Sequence, residues 1–431
     1  MRVGRYVAGC LGLTLTAAGA WTCTRGDTPG KQGDSPATAA ESDIQISAWN
    51  RALAADPVSA IALGQLAGLH LQRGRETGDE SQFHRAEAYA RRSIALRTSR
   101  NGASLATLGA ALLTRHEFAA ADSILTDLAQ LEPDVPEYRA MLGEIKLERG
   151  DYVAARFAFD SLYKFRSHLS IAPRLARWME LTGSPRAARK LLEDALAESR
   201  RRPDLPREQA AWFHLRAGDI DMRFGRLRSA RASFADGLRI EPRDHRLLAA
   251  MAQLEAVSGN PRQAIAYGER ALATRFDPAV SGMIGEAHAA RGDNASAEQF
   301  FRAMEVAIAG QSGANHRGAT LLLLDHGKRL PEILTSARAE IFTRPDIHGY
   351  DVLAWALHKA GRNHEARAAM TKALSLGTRD ATMHYHAGMI ETALADTARA
   401  RFFLERAIRI NPRFHPARPK EVRTLLDSLS G

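Results

Sequence analysis

The sequence predicts an all-α fold in which about ten helix-turn-helix repeats stack into a right-handed superhelical α-α solenoid with terminal capping helices. A skeleton of small and apolar residues recurs, and its copies are 33 to 35 residues apart except for two intervals of 42. Leu108 and Leu142, for example, are 34 residues apart, and Leu175 follows after another 33. Each copy also contains two segments with apolar residues three or four positions apart, which is the spacing of amphipathic helices.

Each residue of the skeleton has a physical reason. In the unit around Leu142, Gly143 lies in the first helix and lets the second helix approach closely. Gly150 lies at the turn, where it can take a left-handed backbone conformation that other residues resist. Ala155 in the second helix is small because the facing helix leaves no room for more. Where a proline follows a unit, as Pro242 does, it ends the second helix.

Ten such units can be placed between about Ala60 and Pro412. The small alanine is present in nine of them, and Glu332 replaces it in the tenth. The turn glycine is present in eight, and His116 and Ala395 replace it in the other two. The first unit places its turn at Gly74 and then has about seven extra residues. The long interval from Leu175 to Ala217 instead adds a loop over residues 200–203.

This pattern resembles the tetratricopeptide repeat family. The aromatic residue that opens the first helix in that family is mostly absent here. The resemblance implies that the first helices line a concave inner surface, which binds extended peptides or helices of partner proteins.

The N-terminus has the composition of an export signal. Arg2 and Arg5 precede an uncharged, mostly apolar stretch that ends in the small residues 18–20. This order is typical of a secretory signal peptide over residues 1–20. Residues 21–41 are rich in Gly, Pro, Ser, Thr and Asp and are expected to form a flexible tether.

Cys23 follows the apolar stretch directly, in the place where bacterial lipoproteins carry their acylated cysteine. The residues before it differ from the usual lipoprotein pattern, so three outcomes stay open: plain export, a lipid anchor on Cys23, or an uncleaved anchor. The other cysteine is Cys10, so both cysteines lie within the first 23 residues. The 408 residues after Cys23 therefore contain no disulfide, cysteine-bound metal or thiol nucleophile.

The rest of the chain divides into four parts. Residues 42–309 form an N-terminal array that opens with a lone second helix over residues 44–57, and residues 319–412 form a C-terminal array. Residues 310–318 are rich in glycine and polar side chains and are the expected hinge. Residues 413–431 contain a capping helix over 419–429, which a solenoid needs to cover its exposed end.

No motif for chemistry is present, so we expect no enzymatic activity and no cofactor. The clustered histidines lack the spacing of a zinc-binding helix, so no metal site is expected; they are His348, His358, His364, His384 and His386. Removal of residues 1–20 takes away two arginines and no acid, which lowers the formal net charge from +10 to +8. The basic residues are scattered without interleaved aromatics, which argues against a nucleic-acid partner.

The concave groove is the best candidate binding site. When the repeats are aligned, nine residues fall on inward-facing positions of the first helices: Glu144, Arg177, Trp212, Asp219, Gln253, Glu286, Trp355, His358 and Tyr385. Charges of alternating sign together with aromatic rings can hold a peptide. The lysine and asparagine clamp with which some family members hold a C-terminal carboxylate is not present.

These observations lead to a functional hypothesis. We expect an exported protein, periplasmic or secreted or anchored as a lipoprotein, that acts as a non-enzymatic scaffold or adaptor of the cell envelope and binds protein or peptide partners. It would contact a membrane only through an acylated Cys23 or a retained anchor. An accessory subunit or enzyme of cell-wall or polysaccharide metabolism is the alternative. Nothing in the sequence indicates an oligomeric state.

Overall fold

The computed structural model describes residues 36–309 and 316–429. Within these ranges the secondary structure consists of 22 α-helices and one short 3-10 turn. The predicted signal peptide, Cys10, Cys23, most of the tether and residues 310–315 of the predicted hinge lie outside the described residues.

The helices follow one another in pairs that are separated by short turns. In chain order they are α1 (Pro36–Ala55), α2 (Ala60–Thr77), α3 (Glu80–Leu96), α4 (Gly102–Thr114), α5 (Phe118–Leu131), α6 (Pro136–Glu148), α7 (Tyr152–Asp160), α8 (Ala172–Leu181), α9 (Pro185–Ser199), α10 (Arg207–Arg223), α11 (Leu227–Ile240), α12 (His245–Val257), α13 (Pro261–Thr274), α14 (Pro278–Ala289), α15 (Asn294–Ile308), α16 (Arg317–Asp325), α17 (Leu330–Thr343), α18 (Ile347–Lys359), α19 (Asn363–Ala373), α20 (Ala381–Ala393), α21 (Thr397–Ile410) and α22 (Arg418–Ser428).

The ten predicted units correspond to the ten pairs from α2 and α3 to α20 and α21, which confirms the all-α fold of paired, stacked helices. Each even-numbered helix packs on the odd-numbered helix after it, and most odd-numbered helices pack on the next pair. Several even-numbered helices also contact the next even-numbered helix, as α10 contacts α12. The even-numbered helices therefore form the inner layer, and most of them are buried on more sides than the odd-numbered helices.

Close approach of the paired helices depends on glycine in the inner helix. A Cβ atom on Gly218 would lie 2.3 Å from the ring of Phe234, and one on Gly109 would lie 2.6 Å from Leu125. Both distances are too short for any side chain, so the bulky residue of the second helix fills the space that glycine leaves. The skeleton residues thus have the packing role that the sequence predicted.

The turns show the same agreement, with one correction. His116 and Ala395, which replace the turn glycine, have φ angles of 60° and 56°, close to the 74° of Gly150. In the first unit the turn lies at Gly78, with φ of 71°, and not at Gly74. Gly74 is inside α2 and faces Phe83. The residues directly after Gly74 continue α2 to Thr77, so they do not form a loop there.

The terminal helices differ slightly from the prediction. α1 begins at Pro36 and therefore includes residues 36–41, which the composition assigned to the tether. Proline is favoured in the first turn of a helix and the following segment is rich in alanine, so both residue types allow this extension. At the other end, α22 begins at Arg418, one residue before the predicted capping helix.

Repeats about five units apart touch each other, because the array winds so tightly that successive superhelical turns are in contact. Thr378 Oγ1 donates to Leu181 O at 2.5 Å, although these residues are 197 positions apart. Asn411 Nδ2 donates to Met222 O at 3.1 Å, across 189 positions. In each contact, the short connection between the two helices of one pair meets the loop that follows another pair. Because distant repeats touch in this way, the space enclosed by the inner layer is narrow.

The left-handed turns generate a prediction. Gly361 has φ of 74° and nothing within 4 Å of its virtual Cβ, so Gly361→Ala should cost about 1 kcal/mol through backbone strain alone. Ala395→Gly should instead stabilise by about 0.5 kcal/mol, since relief of strain is partly offset by the freedom of glycine in the unfolded chain. The melting temperatures of both variants, monitored by circular dichroism, test these opposite changes in stability. Equal shifts in the same direction would contradict it.

Candidate functional site

A row of ion pairs covers the inner face of the middle repeats. Glu144 on α6 meets Arg174 on α8, with 2.9 Å between Oε2 and Nε. Glu148 on α6 meets Arg177 on α8. Further pairs of the same kind are Glu180 with Arg223, Glu208 with Arg246, and Arg216 with Asp219. The alternating charges that the sequence shows are therefore paired within the protein.

Burial of these charges changes their ionisation. Glu144 is 3% exposed, and burial raises the pKa of its carboxyl group, although Arg174 and Arg177 act in the opposite direction. Burial also raises the pKa of Asp219, against the effect of two neighbouring arginines. A buried charge is costly to leave unpaired. A ligand in this part of the inner face would have to replace these pairs.

The four predicted groove residues of the middle repeats lie in this closed region. Glu144, Arg177 and Trp212 are buried, and Asp219 is only partly exposed. Arg75 on α2 reaches the same region, where burial lowers the pKa of its guanidinium group and neighbouring charges on other inner helices modify it further. A charge from a distant repeat thus lies near this region, which alignment of the repeats could not reveal.

The inner face is open at α12 and α14. Gln253 is exposed on α12, and Ala249, one turn before it, is partly exposed. Met283 and Glu286 are partly exposed on α14, and Nε2 of His326 lies 3.5 Å from Glu286 Oε1. We call Ala249, Gln253, Met283 and Glu286 the open stripe. It offers an amide, a carboxylate and apolar surface on adjacent inner helices.

The three predicted residues of the C-terminal repeats form one aromatic cluster. Trp355 is 1% exposed and stacks on His386 and His358, with ring centroids 4.2 and 4.9 Å away. Tyr385 lies 5.9 Å from Trp355. The indole Nε1 of Trp355 donates to Asp325 Oδ1 at 2.8 Å. The structure therefore brings Trp355, His358 and Tyr385 together.

The C-terminal helix covers this cluster. The guanidinium carbon of Arg418 on α22 lies 4.8 Å from the ring of Tyr385 and 5.9 Å from that of Trp355. Arg418 also forms an ion pair with Asp325. Burial raises the pKa of Tyr385, so its hydroxyl stays protonated and donates to Glu421 Oε2 at 3.2 Å. The sequence did not indicate Asp325 and Arg418, because no repeat spacing relates Arg418 to the residues that it contacts. It grouped His386 with other histidines but did not indicate its stack on Trp355.

A second cluster that the sequence did not indicate joins two turns of the array. Arg344, in the loop before α18, donates through Nε to Glu148 O at 3.0 Å and pairs with the Glu148 carboxylate. Asp346 pairs with Arg344 and with Arg317. Burial opposes ionisation of Glu148, but Arg177 and Arg344 hold its pKa below the usual value. We call Glu148, Arg344, Asp346, Arg317 and Arg177 the inter-turn cluster.

Three of the histidines that the sequence groups together have different hydrogen-bond partners, although His358 and His386 both stack on Trp355. His386 pairs with Asp351, His384 with the carbonyl oxygen of Asp380, and His358 with Asn363. In residues 36–309 and 316–429, no group of three or more His, Cys, Asp or Glu side chains could hold a metal ion. Among the helices of the same ranges, none combines the length and apolar character needed to cross a membrane.

Part of the chain matches a known family. The model of the tetratricopeptide repeat family matches residues 249–312 and 352–413, which span most of α12–α15 and α18–α21. The chain therefore contains tetratricopeptide repeats, which confirms the resemblance inferred from the spacing. No curated protein matches the chain in sequence.

The chain is also similar to solved structures at low identity. The human IFIT1 dimer with PPP-AAAA has 14% identity and a TM-score of 0.47, with 86% of this chain and 87% of that chain covered. PilW, a type IV pilus biogenesis factor, has 15% identity and a TM-score of 0.40, with 50% and 97% covered. A tetratricopeptide repeat protein from Parabacteroides merdae has 18% identity and a TM-score of 0.36, with 63% and 99% covered. None reaches a TM-score of 0.5, so they carry no argument about function.

The inter-turn cluster generates a prediction. Glu148→Gln leaves Arg177 buried without its ion-pair partner and leaves Arg344 with Asp346 alone, which should cost about 3 kcal/mol. The lowered pKa of Glu148 means that its contribution is fully present above pH 4.5 and is lost as the pH falls further. The difference in melting temperature between variant and wild type should therefore shrink below pH 4.5.

Glu193→Gln is the matched control, because Glu193 is about half exposed and pairs only with Arg189 on its own helix. We expect it to change the melting temperature little at any pH, since exposed pairs contribute about 0–1 kcal/mol. A Glu148→Gln variant that melts like this control would show that the inter-turn cluster does not hold the turns together.

Proposed function

We propose that this protein is a non-enzymatic scaffold that binds a peptide or helix of a partner protein along its inner face. The tetratricopeptide repeats support the general role, since this architecture offers an extended surface and no preorganised catalytic group. The open stripe is the observation that carries the proposal. It leaves polar and apolar groups accessible on an inner face that ion pairs close elsewhere.

The nine predicted groove residues take different parts in this proposal. Gln253 and Glu286 belong to the open stripe and offer hydrogen bonds to a bound segment. The aromatic cluster extends the binding surface toward the C-terminus, where His358 is partly exposed. Of the four residues of the middle repeats, Glu144 and Arg177 join the neighbouring inner helices α6 and α8 through ion pairs.

We further propose that the scaffold works in the cell envelope, periplasmic or secreted or tethered as a lipoprotein. The support is the basic, apolar and small-residue order of residues 1–20 and the place of Cys23 after it. A mass spectrum of the mature N-terminus distinguishes cleavage alone, cleavage with acylation of Cys23, and retention of residues 1–20. A mature chain that still begins with Met1 and remains in the cytoplasm would overturn this location.

Charge reversal in the open stripe tests the binding role. We expect Gln253→Arg with Glu286→Arg to reduce capture of the partner from an envelope fraction by about ten-fold or more, since a misplaced charge costs at least about 1.4 kcal/mol at an interface. Captured proteins are quantified by mass spectrometry against wild-type bait. Circular dichroism checks that the variant keeps its fold.

The control places the same charges on the outer layer. Gln263 on α13 and Glu298 on α15 are exposed, so Gln263→Arg with Glu298→Arg matches the change in charge. This variant should capture the partner as wild type does. Equal loss of capture in both variants, or in neither, would place the binding site outside the open stripe.

A further inference from the structure

The C-terminal helix places an arginine in a site built from inner-face side chains. Asp325, Trp355 and Tyr385 lie on three successive inner helices, α16, α18 and α20, and together they surround Arg418 of α22. We call these three side chains the arginine cage. Two aromatic rings lie near the guanidinium group and a carboxylate pairs with it, which is the arrangement that recognises a planar cation.

The side chains of the cage are also held by contacts that do not involve Arg418. Asp325 is fixed by the indole of Trp355, and Trp355 is fixed in turn by its stack on the buried ring of His386. His386 pairs with Asp351. A site whose groups are held by such contacts loses little freedom when it binds.

The helix that occupies the cage is held weakly. α22 buries only three residues, Arg418, Pro419 and Val422, whereas α20 buries nine. Its leucines are only partly buried, and within the described residues no further helix packs on it from the C-terminal side. Segments with few buried contacts open at low free energy. The side chain of Arg418 is nevertheless only 10% exposed, so its contacts with the cage are a large part of what holds α22.

We propose that α22 is a displaceable internal ligand and that the partner presents an arginine that takes the place of Arg418 in the cage. This deepens the proposed function, on which it rests, because it names the chemistry of the segment bound at the C-terminal end of the inner face. Asp325 is the carboxylate that stays at the site when α22 leaves, and it favours a basic segment. Arginine fits better than lysine, since an ammonium group cannot stack on the rings and pair along a plane.

The same geometry implies regulation. While α22 occupies the cage, the C-terminal end of the inner face is covered, and a partner must supply contacts that outweigh it. A segment that also contacts the open stripe would bind at two places at once, and the free energy of the second contact would help it to displace α22. A basic peptide that lacks those contacts should bind the wild-type chain poorly.

The test uses the full chain and a labelled peptide of its own residues 413–429, followed by fluorescence anisotropy. The wild-type chain should bind this peptide at least ten-fold more weakly than the Arg418→Gln chain, whose internal ligand lacks the guanidinium group. The peptide that carries Arg418→Lys should lose most of the affinity for the Arg418→Gln chain, and the peptide that carries Arg418→Gln should not bind it.

Two controls make the result specific. Arg423 lies on α22 and is exposed, so an Arg423→Gln chain removes the same charge from α22 without emptying the cage and should behave as wild type. Adding Asp325→Asn to the Arg418→Gln chain should abolish binding, although an amide oxygen can still accept from Trp355. Equal affinity of the wild-type and Arg418→Gln chains, or binding that does not depend on the arginine of the peptide, would overturn the proposal.

Hydrogen exchange of the wild-type chain gives a second measurement that needs no variant to fold. The amides of α22 should exchange at least ten-fold faster than those of α20, and equal protection would overturn the displaceable role. The outcome is distinct from that of the scaffold proposal. Partner capture that depends on the open stripe, together with failure of the peptide test, would leave the scaffold in place and remove the arginine cage.

Discussion

The winding of the array, which brings repeats about five units apart into contact, determines what the inner face can do. The two helices of a pair approach closely because glycines such as Gly218 leave room for Phe234. The array then closes on itself through Arg344 with Glu148 and Thr378 with Leu181. With so narrow an interior, charges that would line an open trough in a wider array are removed from water and must pair with one another.

This closure divides the inner face into parts with different roles. The middle repeats are sealed by their own ion pairs, so their charges stabilise the fold and are not free for a ligand. The open stripe leaves Gln253 and Glu286 accessible, and the C-terminal part is covered by Arg418 of α22. The proposed partner therefore meets an accessible surface next to a site that it can enter only by replacing a helix of the protein itself.

Local spacing predicted much of the fold, and long-range contacts explain the rest. The recurring glycine and alanine predicted the ten helix pairs, and even the replacements His116 and Ala395 keep the left-handed turn. The same alignment brought Trp355 and Tyr385 onto neighbouring inner positions. It could not predict that Arg418 covers them, because that contact depends on how the whole array winds. Residue spacing describes neighbouring repeats, whereas burial of the inner face depends on repeats that are distant in the chain.

The amide of Ile347 offers the most direct measurement of this winding. Ile347 N donates to the hydroxyl of Tyr152 at 2.6 Å, across 195 positions of the chain, and this hydrogen bond exists only if the two turns touch. Hydrogen exchange resolved at this amide should show protection in the wild-type chain and faster exchange in a Tyr152→Phe variant. Exchange of the wild-type Ile347 amide at the rate of a free loop, unchanged by Tyr152→Phe, would contradict the account.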